Sequence, residues 1–223
     1  MEPNHMTFDT FIPGVCNAAA LEAALAAARD PGGAPLYIFG PTGVGKTHLL
    51  QAIADHLRRI RPSLKVVFVH ADRFLADLIQ AICRSTLDEF DEKYRRADVL
   101  LLDDLQFLMD KETSFVTFVD ICRQAGQVVV TADRPPVEEL FTHGRVVKLD
   151  PPDAETRTRI LRAKAARLEL ALDPAVEELL VRTFPDNVRI LEGALTRLLA
   201  YRDLLDLPIT PENAARLLSD SET

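Results

Sequence analysis

The sequence predicts an α/β fold: a five-stranded parallel sheet with crossover helices, followed by a small α-helical domain. Three observations predict it. Five short β-type runs recur through the first two thirds of the chain, LYIF (36–39), KVVFVH (65–70), DVLLLD (98–103), QVVVT (127–131) and RVVKL (145–149). Helical periodicity fills the spaces between them. After Pro151 and Pro152 the strand signals stop and only helical patterns follow.

Each element has its own reason. The five runs are rich in Val, Ile and Leu with little alternation, the pattern of strands covered on both faces. Residues 47–61 place Leu49, Leu50, Ile53, Leu57 and Ile60 on one helical face. Residues 72–83 do the same with Phe74, Leu75, Leu78, Ile79 and Ile82. Strands alternating with helices imply parallel pairing through crossovers. Beyond Pro152, helical segments are expected at about 153–168, 173–183, 187–204 and 211–218. Pro174 opens one of them, and Pro185 and Pro208 separate others. These patterns divide the chain into an α/β domain over 1–150 and a helical domain over 151–223.

Composition narrows the class. The 223 residues are 48% hydrophobic and 27% charged, ordinary for a globular protein. No apolar run has the length of a membrane span and no signal pattern opens the chain, so a cytoplasmic protein without membrane partners is expected. The formal charge of −8 opposes a life spent neutralising DNA phosphate. Cys16, Cys83 and Cys122 have neither metal nor disulfide spacing, and their apolar neighbours predict buried free thiols.

The chemistry starts at GPTGVGKTH (40–48). Gly40, four residues, then Gly45, Lys46 and Thr47 form the P-loop pattern, placed between a strand and an amphipathic helix as the pattern requires. Glycines let the turn aim its N–H groups at phosphate, and the helix that follows adds its positive end. Lys46 is expected to reach β/γ oxygens and Thr47 to offer its hydroxyl to Mg²⁺. A P-loop needs a carboxylate on a neighbouring strand, and VLLLDD (99–104) supplies two. Asp103 is the expected Mg²⁺ ligand, through water, and Asp104 the group that orients or deprotonates attacking water. The run VVVT (128–131) ends in Thr131, followed by Asp133 and Arg134. Thr131 or Asp133 is expected close to a γ-phosphate, with a turn or capping role equally open for each.

Together these stretches resemble the AAA+ module of the bacterial replication initiator family DnaA. The resemblance runs over about residues 7–218. It includes TFDTFIPGVCNAAALEAA, GPTGVGKTHLLQAIA, YRRADVLLLDDLQFL, VVVTADRPPVEEL, PPDAETRTRILRAKA and DNVRILEGALTRLLAY. It implies an AAA+ P-loop NTPase fold with a helical lid, and ATP or ADP with Mg²⁺ as cofactors. It carries nucleotide contacts onto Gly43, Val44, Gly45, Lys46, Thr47 and His48. It makes Asp103 and Asp104 the Mg²⁺ and hydrolysis acids. Ile12, near Gly14, would line the adenine. Arg189 becomes the lid residue that senses γ-phosphate. Independently, Val188, Leu191, Leu195 and Leu198 form an apolar stripe and Arg189 lies off it.

Departures from the family shape the functional reading. The region 73–94 corresponds to extra helices that touch single-stranded DNA in the family, but in LDEFDEKYRR (87–96) Asp91 leaves only Lys93, Arg95 and Arg96 as the basic group. A structural helix pair is expected ahead of a DNA contact. The sequence holds neither the initiator's helix-turn-helix domain nor its helicase-interaction domain, so no double-stranded sequence readout is expected of it. The family places an arginine finger between the strand-4 Pro-Pro and the later Pro-Pro-Asp. Here that interval is VEELFTHGRVVKLD (137–150), with Arg145 as its one arginine. The expectation is a one-sided switch: monomeric or weakly dimeric alone, and a slow ATPase dependent on a partner's arginine. The leading reading is a DnaA-like regulator of replication initiation that contacts DnaA, similar to relatives of the Hda type. A helicase-loader-like ATPase gripping single-stranded DNA, a small-molecule phosphotransferase, and the core of a longer initiator remain as alternatives.

Overall fold

A computed structural model describes residues 6–136, 144–205 and 207–219. The five expected runs are the five strands: β1 (Leu36–Phe39), β2 (Val66–His70), β3 (Val99–Asp103), β4 (Gln127–Ala132) and β5 (Arg145–Lys148). They form one parallel sheet in the order β2-β3-β4-β1-β5. β1, β3 and β4 are almost wholly buried, as uniform apolar strands predict. The edge strands differ from expectation. β2 is mostly half-buried, and β5 exposes Arg145, Val146 and Lys148. An edge strand has a neighbour on one side only, so part of it meets solvent.

The helices of the first unit are α1 (Ala18–Arg29), α2 (Lys46–Ile60), α3 (Ala71–Arg84), α4 (Leu87–Tyr94), α5 (Gln106–Met109) and α6 (Glu112–Cys122). On α2, Leu49, Leu50, Ile53 and Leu57 are buried, but Ile60 is exposed in the last turn. On α3 the expected single face splits. Phe74, Leu78 and Ala81 are buried, whereas Ile79 and Ile82 are exposed. At about 100° per residue the first three fall within roughly 60° of one another, and Ile79 and Ile82 lie some 80–140° round from Phe74. The sheet covers the narrower stripe. Cys83 sits on this outer side and is exposed, not buried, while Cys16 and Cys122 are half-buried; all three are free thiols.

The four expected later helices are α7 (Ala154–Arg167), α8 (Pro174–Thr183), α9 (Val188–Leu205) and α10 (Pro211–Ser219). Asp153 caps α7 by accepting from the Thr156 N–H at 2.7 Å, and Asp173 caps α8 by accepting from the Ala175 N–H at 2.8 Å. Their core gathers Leu161, Val176, Leu180, Leu191, Leu195 and Leu198.

The chain divides into two compact units. The first holds residues 1–11, 17–41 and 45–149, and the second holds 12–16, 42–44 and 150–223. The main division falls at Leu149, but two short segments depart from a single cut near 151. Within the second unit, Arg159 Nη1 donates to the Pro13 carbonyl at 2.8 Å and Val188 N–H donates to the Gly43 carbonyl at 3.0 Å.

Candidate functional site

The phosphate loop leaves the carboxyl end of β1 and enters α2 at Lys46. Gly43 has φ +82° and Gly45 φ +107°, in the left-handed region where a side chain is strained. A Cβ on Gly45 would meet the Phe11 ring at 3.2 Å. A Cβ on Gly43 would stand 1.9 Å from Asn187 Oδ1. Both glycines are therefore required by the backbone path, not only by a ligand. Lys46 is buried, and its ammonium donates to the Gly40 and Pro41 carbonyls, each at 2.8 Å. This hooks the lysine back over the loop. Val44 is buried too.

β4 lies between β1 and β3, so the end of β4 stands between the loop and the β3 acids. Asp103 ends β3 with 0% exposure. Thr47 Oγ1 donates to its Oδ2 at 2.8 Å, and Thr131 Oγ1 donates to its Oδ1. His70 ends β2, directly opposite Asp103 in register, with Nδ1 3.3 Å from Oδ2. Asp104 follows with φ +60°, a strained conformation for a residue with a side chain. Its N–H donates to Thr131 Oγ1 at 3.0 Å, and its Oδ1 accepts from Gln106 Nε2 at 3.0 Å. His70, Asp103 and Asp104 present one ligand atom each within 4.8 Å of one another.

Of the two residues expected beside γ-phosphate, Thr131 touches Asp103 and Asp133 does not. Asp133 lies past the end of β4, exposed, with Oδ1 accepting from Arg134 Nε at 2.9 Å. Beneath it, Tyr37 donates its hydroxyl to the Arg134 carbonyl at 3.1 Å. Burial, reinforced by the Asp133 charge, pushes the Tyr37 pKa up to about 12.

The His48 side chain turns toward the N-terminal segment. Its Nε2 lies 2.9 Å from the Thr7 carbonyl and 3.2 Å from Thr10 Oγ1, and its ring meets Phe11 edge-on. Any phosphate contact from His48 therefore belongs to its backbone. Ile12 is half-buried within the second unit. Arg189 is exposed in the first turn of α9, whose start is capped by Asn187 Oδ1, accepting from the Arg189 and Ile190 N–H groups at 3.0 and 3.2 Å. Among the described residues, its guanidinium makes no ion pair.

Arg145 opens β5 and pairs with Leu36 at the start of β1, at the opposite end of the sheet from the phosphate loop. It approaches Glu22 at 3.8 Å. Residues 137–143 of the expected finger interval lie outside the described residues.

His70 escaped the sequence reading. Its signal was register: parallel pairing of the runs ending at His70 and Asp103 brings two residues 33 positions apart to the same edge.

A P-loop, a buried acid on the strand two places away and a threonine between them define the nucleotide-binding edge of a P-loop NTPase. The bacterial DnaA ATPase domain family matches residues 3–147, and the chain belongs to that family. The chain is 41% identical to the chromosomal replication initiator DnaA of Chloroflexus aggregans over 229 residues, covering 96% of this chain and 48% of that protein. It thus spans about half the length of the curated relatives it matches. Domain III of Thermotoga maritima DnaA superposes with a TM-score of 0.92 at 35% identity, covering 98% of this chain and 97% of that one. AMPPCP-bound DnaA from Aquifex aeolicus superposes with a TM-score of 0.79 at 30% identity, covering 88% and 65%. A DnaA bound to AMPPCP and single-stranded DNA gives 0.78 at 29%, again covering 88% and 65%. Among the described residues, no helix is long and apolar enough to cross a membrane.

Proposed function

We propose that this chain is a nucleotide-dependent AAA+ module of bacterial replication initiation, which binds ATP or ADP with Mg²⁺ and acts by contacting a DnaA-type initiator. The observation that carries the reading is the Thr47–Asp103 hydrogen bond at the mouth of a loop with two left-handed glycines. A threonine hydroxyl and a buried carboxylate, already 2.8 Å apart, suit an oxygen-seeking dication.

Lys46 trades the Gly40 and Pro41 carbonyls for phosphate oxygens when nucleotide enters. Thr47, and Asp103 through water, would hold Mg²⁺, which would supply charge neutralisation to the phosphates. Thr131 fixes the Asp103 carboxylate from the other side and supports the strained Asp104 backbone. Asp104 orients a water. Arg189, off the apolar stripe of α9, takes the sensor role that family resemblance gives it. The nucleotide analogue in the DnaA structures supports the same reading.

A second reading, single-stranded DNA held on α3 and α4, has the DNA-bound DnaA structure in its favour. Against it, Lys93 is paired with Asp77, Arg95 with Asp91 and Asp120, and Arg96 with Glu92. Such pairs lower the cationic potential that DNA phosphate would use. The nucleotide-switch reading therefore leads.

Co-sedimentation with the DnaA of the same organism, in ATP, ADP or no nucleotide, tests the proposal. Association that changes with nucleotide supports it. Association indifferent to nucleotide, or no nucleotide binding in a fluorescent-ADP titration, overturns it. Light scattering of the chain alone with ATP tests the one-sided assembly. A monomer or weak dimer is expected, and long homo-oligomers would refute it.

A further inference from the structure

We propose that His70 completes a nitrogen-bearing cation site with Asp103 and Asp104, which takes a first-row transition ion such as Co²⁺ or Zn²⁺ before any nucleotide is bound. The inference rests on the nucleotide-site reading for the role of Asp103, and goes beyond it in ligand set and metal class.

The donors come from different elements but converge. His70 ends β2 and Asp103 ends β3, and the two are direct partners in the parallel ladder. The strained backbone at Asp104 starts the turn out of β3. The three ligand atoms all lie within 4.8 Å of one another.

One ligand pair already has the spacing of a tetrahedral ion, and in a set spread over as much as 4.8 Å the Asp104 carboxylate would draw in to join it. Two ligands about 2.1 Å from zinc, at the tetrahedral angle, stand about 3.4 Å apart. Two ligands of octahedral Mg²⁺ at about 2.05 Å stand about 2.9 Å apart. His70 Nδ1 and Asp103 Oδ2 are 3.3 Å apart. Imidazole suits zinc, cobalt and nickel, whereas Mg²⁺ takes oxygen ligands. The His70 side chain keeps 48% exposure, so an ion reaches it from solvent without opening the core.

The charges agree. Asp103 is buried with two hydroxyls and one imidazole around it, and among the described residues no lysine or arginine is ion-paired to it. A buried carboxylate without a cation is costly. Asp103 is the donor that both ion classes share, Mg²⁺ taking it beside Thr47 and the transition ion taking it beside His70 and Asp104. Mg²⁺ comes with phosphate, and the transition ion comes alone. The two compete for Asp103.

Co²⁺ titration of the nucleotide-free chain reads this directly, because an ion in a tetrahedral nitrogen and oxygen set absorbs in the visible. One equivalent with that spectrum is expected, displaced by millimolar Mg²⁺ together with ADP. His70→Ala should weaken Co²⁺ at least about a hundredfold. His70→Gln keeps a polar side chain but removes the strong ligand, and should lose Co²⁺ likewise; circular dichroism checks both folds. Wild type binding Co²⁺ no more tightly than His70→Gln overturns the proposal. Fluorescent-ADP titration with Mg²⁺ on the same samples separates the two failures. Nucleotide binding without the cobalt site sinks this inference alone, and loss of both sinks the nucleotide reading as well.

Discussion

Asp77 and Asp103 are both held by three side chains, and the two sets of three differ in charge. Asp77 on α3 receives Arg73 at 2.8 Å, Lys93 at 2.6 Å and the Tyr94 hydroxyl at 2.8 Å. Asp103 receives Thr47, Thr131 and His70. Two full cations answer the first carboxylate. Neutral hydroxyls and an imidazole answer the second, although it is the more deeply buried. The charge of Asp77 is thus answered within the α3–α4 pair. The carboxyl edge of the sheet leaves a charge to be answered from outside, which is how a binding site differs from a brace.

That contrast breaks most visibly where α3 packs. Phe74 has 0% exposure and meets Phe90, Tyr94 and Phe118 within 4.9–5.7 Å. Phe74→Ala should cost about 3–5 kcal/mol of stability in urea denaturation. At low denaturant the folded fraction should bind fluorescent ADP with unchanged affinity. Lost affinity would show that the brace also shapes the site.

Lys46→Ala should do the reverse. It removes a buried ammonium whose role is realised with phosphate, so ADP affinity should fall about a hundredfold, near 3 kcal/mol. The urea midpoint without nucleotide should move little by comparison. Unchanged ADP affinity would remove the phosphate loop from the function.

The same contrast explains what was legible in the sequence. Strands showed through because a buried parallel strand is uniformly apolar, and the phosphate loop because its glycines have no substitutes at φ +82° and +107°. The later helices showed through their periodicity and their prolines. Ile79, Ile82 and Cys83 misled because apolar character on a helix does not say which part of a wide arc the sheet covers. His70 stayed hidden because strand register, unlike periodicity, is a property of two segments at once.

A smaller effect sharpens the site side of the comparison. Arg189 is exposed and without an ion-pair partner among the described residues, so its charge is available. Arg189→Ala should weaken ATP relative to ADP by about 1–2 kcal/mol, the scale of one charge-assisted hydrogen bond. Paired titrations with the two nucleotides measure it. Equal losses would assign Arg189 to lid packing.

The smallest effect belongs to Asp77, and acid reveals it. Burial raises its pKa, but hydrogen bonds from Lys93 and Tyr94 and the charges of Lys93 and Arg73 outweigh burial, and the net shift is downward. A carboxyl with a depressed folded pKa contributes stability that is present above its unfolded value, about 3.9, and is lost as pH falls through the folded value. Loosening of the α3–α4 pair is therefore expected only below about pH 4. Lys93 and Arg73 are both largely exposed, which screens their contribution. Asp77→Asn at neutral pH should accordingly cost only about 1 kcal/mol. Hydrogen exchange over residues 71–94 reads the effect locally. Protection there should drop with acid in the wild type and show a weaker acid dependence in Asp77→Asn. If the two respond alike, Asp77 does not tie α3 to α4, and the contrast with Asp103 must rest on burial alone.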